Sequence, residues 1–147
     1  MIGQQSCRCC GEGKLKPRML ASLRLLEKRT GVPFLINSGC RCDEWNKKSG
    51  GHKRSHHKIV NGFGNAVDGW MLLLTIRDLY YAALEIPNFS HGQIGLYFTE
   101  TGWFIHLADC GYKHRFAYNY CATLGKMVEI DFDDALRMLE SQELSYV

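Results

Sequence analysis

The sequence predicts an α+β domain in which helices flank a small antiparallel sheet. Apolar residues recur at helical spacing over residues 17–29. Short runs of aromatic and branched apolar residues are typical of strands, and two of them, at 93–98 and 103–107, flank a turn-like segment at 99–102. The 147 residues suffice for one domain with a core, and no repeat or linker divides them. We therefore expect a single domain over 1–147.

The first helix is predicted over residues 17–29. Pro17 suits the first helical turn, and Gly31 suits the residue that closes the helix. Its apolar stripe consists of Met19, Leu20, Leu23 and Leu26. A short strand is expected next, over residues 32–37.

Residues 38–64 are rich in Gly, Lys, His and Ser, and they predict a long loop with a short helical turn near 43–47. A loop of that length in a compact domain is usually functional. A strand at 65–68 and a helix from Thr75 to about Glu85 should follow. The last predicted helix runs from about Asp133 to Leu144, and the aromatic residues within 112–120 are expected in the core or at its rim.

Composition and net charge limit the kinds of partner that we expect for this chain. Apolar residues make up 46% of the chain and charged residues 22%, which is typical of a globular protein. The net charge is +3, whereas DNA-binding domains are usually more basic and cluster their charge, so no nucleic-acid partner is expected. The longest apolar stretch, around 70–74, is too short to span a bilayer. Residues 1–7 lack the features of a secretory signal, so we expect synthesis in the cytoplasm.

Two imidazoles and one carboxylate suggest a specific chemistry. His57 follows His56 in the long loop, Asp68 ends a predicted strand, and His106 lies within an apolar run. A catalytic zinc site uses three protein ligands of these types and leaves a fourth position for water. The alternative is that His106 is a core histidine and that His56 and His57 are solvated.

Seven cysteines are present, so at least one cannot pair within the chain. Five of them form two close groups, one in an N-terminal arm of about residues 1–14: Cys7, Cys9, Cys10, Cys40 and Cys42. Disulfides or a structural zinc would join the two groups. The spacing C-x-C-C is not a standard zinc-finger spacing, so a second zinc is the less favoured interpretation. A nucleic-acid-binding knuckle, with nearby Lys14, Lys16 and Arg18, is the remotest alternative.

Several motifs in a fixed order carry a resemblance to a known family. They are S-G-x-R at 38–41, G-G at 50–51, S-x-H at 55–57, G-x-A-x-D at 64–68 and aromatic-x-H at 104–106. From about Cys7 to Asp109 the chain resembles the zinc D-Ala-D-Ala carboxypeptidases, a family that includes phage and bacterial L-Ala-D-Glu endopeptidases. That family shares its fold with the amino-terminal domain of hedgehog proteins, so the resemblance implies a hedgehog/DD-peptidase-like fold.

The resemblance also implies roles for individual residues. His57, Asp68 and His106 would bind one catalytic Zn²⁺. Arg41 would stabilise the oxyanion or hold a substrate carboxylate, and its fork of donors suits either task. Ser55 would support the site by hydrogen bonding, although a simple turn serine fits the sequence equally well.

Three departures from the family pattern leave choices open. Six residues, 58–63, stand where the family usually has two, so His56 competes with His57, and the S-x-H spacing favours His57. Many relatives carry the general base three positions before the last histidine, where this chain has Trp103. Glu100 falls where hedgehog domains have a glutamate near zinc, and it is our predicted base. Asp109 is predicted to bind the outer nitrogen of His106, the one that does not face the metal, or to act as an alternative base.

The function that follows is a monomeric zinc metallopeptidase that hydrolyses peptidoglycan stem peptides as a carboxypeptidase or an endopeptidase. The alternative is a non-catalytic zinc-bearing binding domain of the same fold. Because no export signal is visible, we expect an endolysin-like enzyme that reaches and degrades the cell wall after phage-type release.

Overall fold

A seven-stranded mixed sheet forms the centre of the part of the chain that the computed structural model describes, residues 2–142. Its strand order is β1-β3-β5-β7-β6-β8-β9, and β2 and β4 form a separate two-stranded ladder. The elements are β1 (Ile2–Gly3), β2 (Lys14–Leu15), α1 (Pro17–Thr30), β3 (Phe34–Ser38), α2 (Asp43–Lys48), β4 (Phe63–Gly64), β5 (Ala66–Met71), α3 (Ile76–Leu84), α4 (Pro87–Ser90), β6 (Gln93–Phe98), β7 (Trp103–Ala108), β8 (His114–Cys121), β9 (Lys126–Ile130) and α5 (Phe132–Gln142).

The helices bury one face of this sheet. Helices α1, α3, α4 and α5 contact one another or the central strands. Alternate residues of β6 and β7 are fully buried, namely Ile94, Leu96, Ile105 and Leu107. Because successive side chains of a strand point to opposite faces, Gly95 and His106 lie on the other face. Asp68, which pairs with His106, lies on this second face as well.

The α+β class is confirmed, and so are the helices with strong local signals. Helix α1 begins at Pro17 and ends at Thr30, and Gly31, which has a φ of 72°, caps its C-terminus. Helix α3 begins with a capping box in which Thr75 and Asp78 cap each other's backbone. Within 38–64, the short helical turn is α2. Helix α5 covers the described part of the last predicted helix, and Leu144 lies outside the described residues.

The sheet is larger than the sequence indicated, and it is not purely antiparallel. The predicted hairpin β6–β7 is present, but β8 pairs with the far side of β6 in a parallel register, and β9 extends the sheet beyond it. Strand β1 also pairs in parallel with β3. Strand β8 was missed because most of its residues are only half buried, so its alternation is weak. No helix of residues 2–142 is long and apolar enough to cross a membrane.

Strands β3 and β5 approach closely at Gly69, which pairs with Ile36. A Cβ at Gly69 would collide with the carbonyl oxygen of Leu35 and with the buried ring of Phe34. Glycine at this position therefore allows β3 to align with the strand that carries Asp68.

We predict that Gly69→Ala lowers the free energy of unfolding by about 1–3 kcal/mol, since neither a strand carbonyl nor a packed ring gives way easily. Gly102→Ala is the matched control, because a Cβ there meets no atom within 4 Å. Urea unfolding of both variants tests this. Equal stability of the two variants would contradict the close approach of β3 and β5.

Candidate metal centre

Two of the three predicted ligands face each other across adjacent strands. Asp68 of β5 pairs directly with His106 of β7 in an antiparallel register. Directly paired residues present their side chains on the same face, with Cβ atoms about 4.5–5.5 Å apart. The same row continues to Ser38 on β3 and to Gly95 on β6. The rigid sheet therefore brings the carboxylate and one imidazole together.

The third imidazole comes from the long loop and is held by backbone contacts. The carbonyl of His57 accepts a hydrogen bond from Arg41 N (2.7 Å), and the backbone N–H of His57 donates to Ser55 Oγ (3.3 Å). Its Nδ1 donates to the carbonyl oxygen of Gly39 (2.8 Å). These contacts fix the ring so that Nε2 points towards the sheet face.

The three inner ligand atoms form a nearly equilateral triangle. His57 Nε2 lies 3.1 Å from Asp68 Oδ1 and 3.2 Å from His106 Nδ1, and His106 Nδ1 lies 2.8 Å from Asp68 Oδ1. Zinc with bonds of about 2.0–2.1 Å places tetrahedral ligand atoms roughly 3.3 Å apart. The triangle is therefore close to the size that Zn²⁺ requires.

The positions of the ring protons on His57 and His106 indicate what kind of ligand this triangle binds. His57 Nδ1 carries a hydrogen because its partner is a carbonyl oxygen, and His106 Nε2 faces Gln93 Oε1 at 3.2 Å. The Gln93 amide nitrogen donates to Tyr112 Oη (3.1 Å), which is consistent with its oxygen facing His106. In the neutral rings both inner nitrogens then hold lone pairs. Three lone-pair donors converge on one point, and a cation satisfies all three.

Burial strengthens this preference for a cation. His57, Asp68 and His106 are only 2%, 7% and 6% exposed. Burial raises the pKa of Asp68, but the two histidines outweigh that effect and hold it well below its ordinary value. Burial lowers the pKa of His106 and so favours the neutral ring, which is the form that binds metals. The donor set, its protonation and its dimensions fit Zn²⁺.

Arg41 contacts the ligand set directly. Its Nη2 donates to Asp68 Oδ2 (2.9 Å), and its Nε donates to Ser38 Oγ (3.0 Å). The guanidinium thus holds the carboxylate oxygen that faces away from the histidines. Sequence reasoning had not assigned Ser38 this contact, although Ser38 opens the S-G-x-R motif.

The two predicted bases lie elsewhere. Glu100 is exposed in the turn between β6 and β7, and no hydrogen bond or ion pair within residues 2–142 joins it to the three ligands. The Asp109 carboxylate is held by Arg18 of α1, at 3.1 Å from Nε and 3.3 Å from Nη2. The partner of the outer His106 nitrogen is Gln93 and not Asp109.

A hydrogen-bonded chain that was not predicted leads from His106 to the surface. Gln93 connects His106 to Tyr112, and the Tyr112 hydroxyl lies 2.8 Å from His56 Nε2. His56 is thus directed away from the ligand triangle. The pKa of His56 is lowered by burial of its ring and by the nearby His57 and Lys16. Only the position of Gln93 at the start of β6, two residues before Gly95, could have placed it on the His106 face.

A basic cleft of about 240 Å³ opens beside the ligand loop. Its lining is Lys16, Lys53, Arg54, Ser55, His56, Lys58, Val60, Phe63 and Asn65. Four of these side chains are cationic at neutral pH, so the cleft favours an anionic ligand. Residues 58–63, the stretch that is longer than in the family pattern, supply three of the lining residues.

The family model described as Peptidase M15 matches residues 3–108, which is more than half of the chain. The chain belongs to the peptidase M15 family. M15 peptidases use zinc, and the match covers all three residues of the ligand triangle. The resemblance drawn from the sequence motifs is thereby confirmed. Comparison with curated proteins finds no match, and comparison with solved structures finds none either.

We predict that Gln93→Leu weakens zinc binding about 10- to 100-fold, because it removes the acceptor that orients His106. Gln4→Leu is the control and should bind zinc as the parent protein does, because the Gln4 side chain is exposed and its hydrogen-bond partner is Ser6 and not a ligand. Competition with a chromophoric chelator measures both affinities. Parental affinity in the Gln93 variant would show that the outer contact does not support the ligand.

Proposed function

We propose that this M15 metallopeptidase hydrolyses peptidoglycan stem peptides. The observation that carries the proposal is the convergence of His57, Asp68 and His106 on one point. Family membership supports zinc peptidase chemistry on cell-wall peptides. We further propose that the protein acts on the cell wall as a lysis enzyme of phage type.

In this proposal His57, Asp68 and His106 hold Zn²⁺ in an open three-ligand site. Bound zinc would polarise the scissile carbonyl and lower the pKa of a coordinated water to about 7. Burial favours the neutral ring of His106, the carboxylate of Asp68 stays ionised, and contacts with Gly39 and Gln93 fix the ring orientations.

Arg41 has two proposed tasks. It holds Asp68 in the ligand position, and it donates to the oxyanion or to a substrate carboxylate when a peptide binds. A guanidinium carries five N–H donors, and the contacts with Ser38 and Asp68 use two of them. Arg41 can therefore contact substrate without releasing Asp68.

The basic cleft supports an acidic peptide as substrate. Stem peptides carry several carboxylates, and Lys16, Lys53, Arg54 and Lys58 would attract them. Removal of a terminal D-Ala and cleavage of an internal L-Ala-D-Glu bond both remain within this proposal, since both substrates present carboxylates near the bond.

We predict that the protein releases D-Ala or cleaved peptide from purified stem peptides, that chelation abolishes this release, and that Zn²⁺ restores it. The reason is that the three ligands alone, without the metal, supply no group that activates water or polarises the scissile carbonyl. Amino-acid analysis and mass spectrometry of the products measure the reaction and distinguish the two bonds. Absence of chelator-sensitive cleavage in the zinc-loaded protein would contradict the proposed function.

We retain Glu100 as the proposed general base. Of the three acidic residues considered, Asp68 lies in the ligand triangle and Asp109 is paired with Arg18. Glu100 lies in the turn of the hairpin that carries His106, and its side chain is exposed. Catalytic contacts often tighten only in the substrate complex.

Glu100→Gln is expected to lower kcat by about 100- to 10,000-fold, the usual contribution of a general base, while zinc stays bound. Glu140→Gln is the control, because Glu140 lies on α5, which packs on the helical side of the sheet. Steady-state kinetics and metal analysis of both variants test this. An unchanged kcat would assign proton transfer to another group.

A zinc-bearing binding domain without peptidase activity is the second candidate. Trp103 stands at the position of the usual base, and Glu100 has no contact with the ligands in the described chain, which favours this candidate. A zinc-loaded parent protein that binds stem peptides without cleaving them would establish it.

A further inference from the structure

Three cysteine thiols converge on a second point, outside the ligand triangle. The Sγ atoms of Cys7, Cys10 and Cys42 all lie within 4.8 Å of one another. Tetrahedral zinc with Zn–S bonds of about 2.3 Å places sulfur atoms roughly 3.8 Å apart, so a small contraction would close this group around a metal. We propose that it is a structural zinc site.

The local backbone is arranged as a tight turn around Cys7. Cys7 N donates to the carbonyl of Glu12 (2.7 Å), and Gly11 N donates to the carbonyl of Cys7 (2.8 Å). Gly11 has a φ of 73°, a conformation that glycine adopts without strain. The turn brings Cys10 back towards Cys7, so the pair that meets is spaced C-x₂-C, a usual zinc-ligand spacing.

A hydrogen bond to sulfur marks Cys7 as a site for a thiolate. Its buried Sγ accepts from the backbone N–H of Cys42 at 3.3 Å. Amide donors stabilise a negative sulfur, which is the form that binds metals. A disulfide between any two of the three thiols would leave the remaining one unpaired beside it.

The two neighbouring cysteines, Cys9 and Cys40, differ in their relation to the cluster. Cys9 directly precedes Cys10 in the sequence, and its exposed thiol is the candidate for the fourth ligand. Cys40 is buried against Gly64 instead and does not belong to the cluster. Soft thiolate ligands in a tetrahedral arrangement select zinc over magnesium or calcium.

The consequence of this second site is a clamp between the N-terminal arm and the loop that carries Arg41. The arm already contacts this region, since Cys40 N donates to the carbonyl of Gln5 (2.7 Å) and Arg8 donates to the carbonyl of Asn37 (2.6 Å). Gly39, which accepts the hydrogen bond from His57, lies in the same segment. Zinc at the cluster would thus immobilise the loop beside the first site.

Zinc analysis of the full chain, purified without chelator or reductant, tests the proposal. We expect about two zinc ions per chain in the parent protein, about one in Cys10→Ser and about one in His106→Ala. The matched control Cys121→Ser, on β8 and outside the cluster, should keep two. If only the cluster holds zinc, Cys10→Ser loses all of it and His106→Ala loses none. That result would support this site while refuting the first.

Two further measurements test the proposal even if one of the variants misfolds. Cobalt substitution of the parent protein should produce a sulfur-to-metal charge-transfer band, which His106→Ala retains and Cys10→Ser loses. Thiol titration of the denatured parent protein in the presence of chelator should find all seven cysteines reduced. A single zinc that Cys10→Ser retains, a second metal other than zinc, or two missing thiols would overturn the proposal.

Discussion

The site depends on the buried carboxylate of Asp68. Its Oδ2 accepts a hydrogen bond from Arg41, and its Oδ1 faces the inner nitrogens of both histidines. A buried carboxylate is costly unless it is paired and hydrogen-bonded. These contacts join three separate parts of the chain: the paired strands β5 and β7, the loop that carries His57 and the segment that carries Arg41. The chemistry that we propose for the protein rests on that convergence.

Close packing around this carboxylate requires glycine at two positions. A Cβ at Gly95, which pairs with His106, would collide with the ring of Phe116 on β8. That ring packs against His106 with a centroid separation of 5.4 Å. A Cβ at Gly39 would collide with the carbonyl of Gln5, which places the N-terminal arm directly against the segment that orients His57. The arm is therefore part of the architecture of the site.

Elements with a complete local signal were predictable from the sequence. Helix α1 has its proline, its apolar stripe and its closing glycine, and the β6–β7 hairpin has two strand patterns around a short turn. Strands β8 and β9 were not predicted, because β8 takes its position from a parallel pairing with β6 that no local pattern encodes. Strands of two residues, such as β1, are too short to show any period.

For the site, the sequence by itself determined which residue types are present, their order along the chain and the family to which the chain belongs. The tertiary structure paired Asp68 directly with His106. Only the tertiary structure decided that His57 and not His56 joins them, that Arg41 holds Asp68, and that Asp109 pairs with Arg18. It also selected Cys7, Cys10 and Cys42 from the seven cysteines. The physical reason is that strand geometry is local, whereas the approach of a loop is set by backbone contacts between residues distant in sequence.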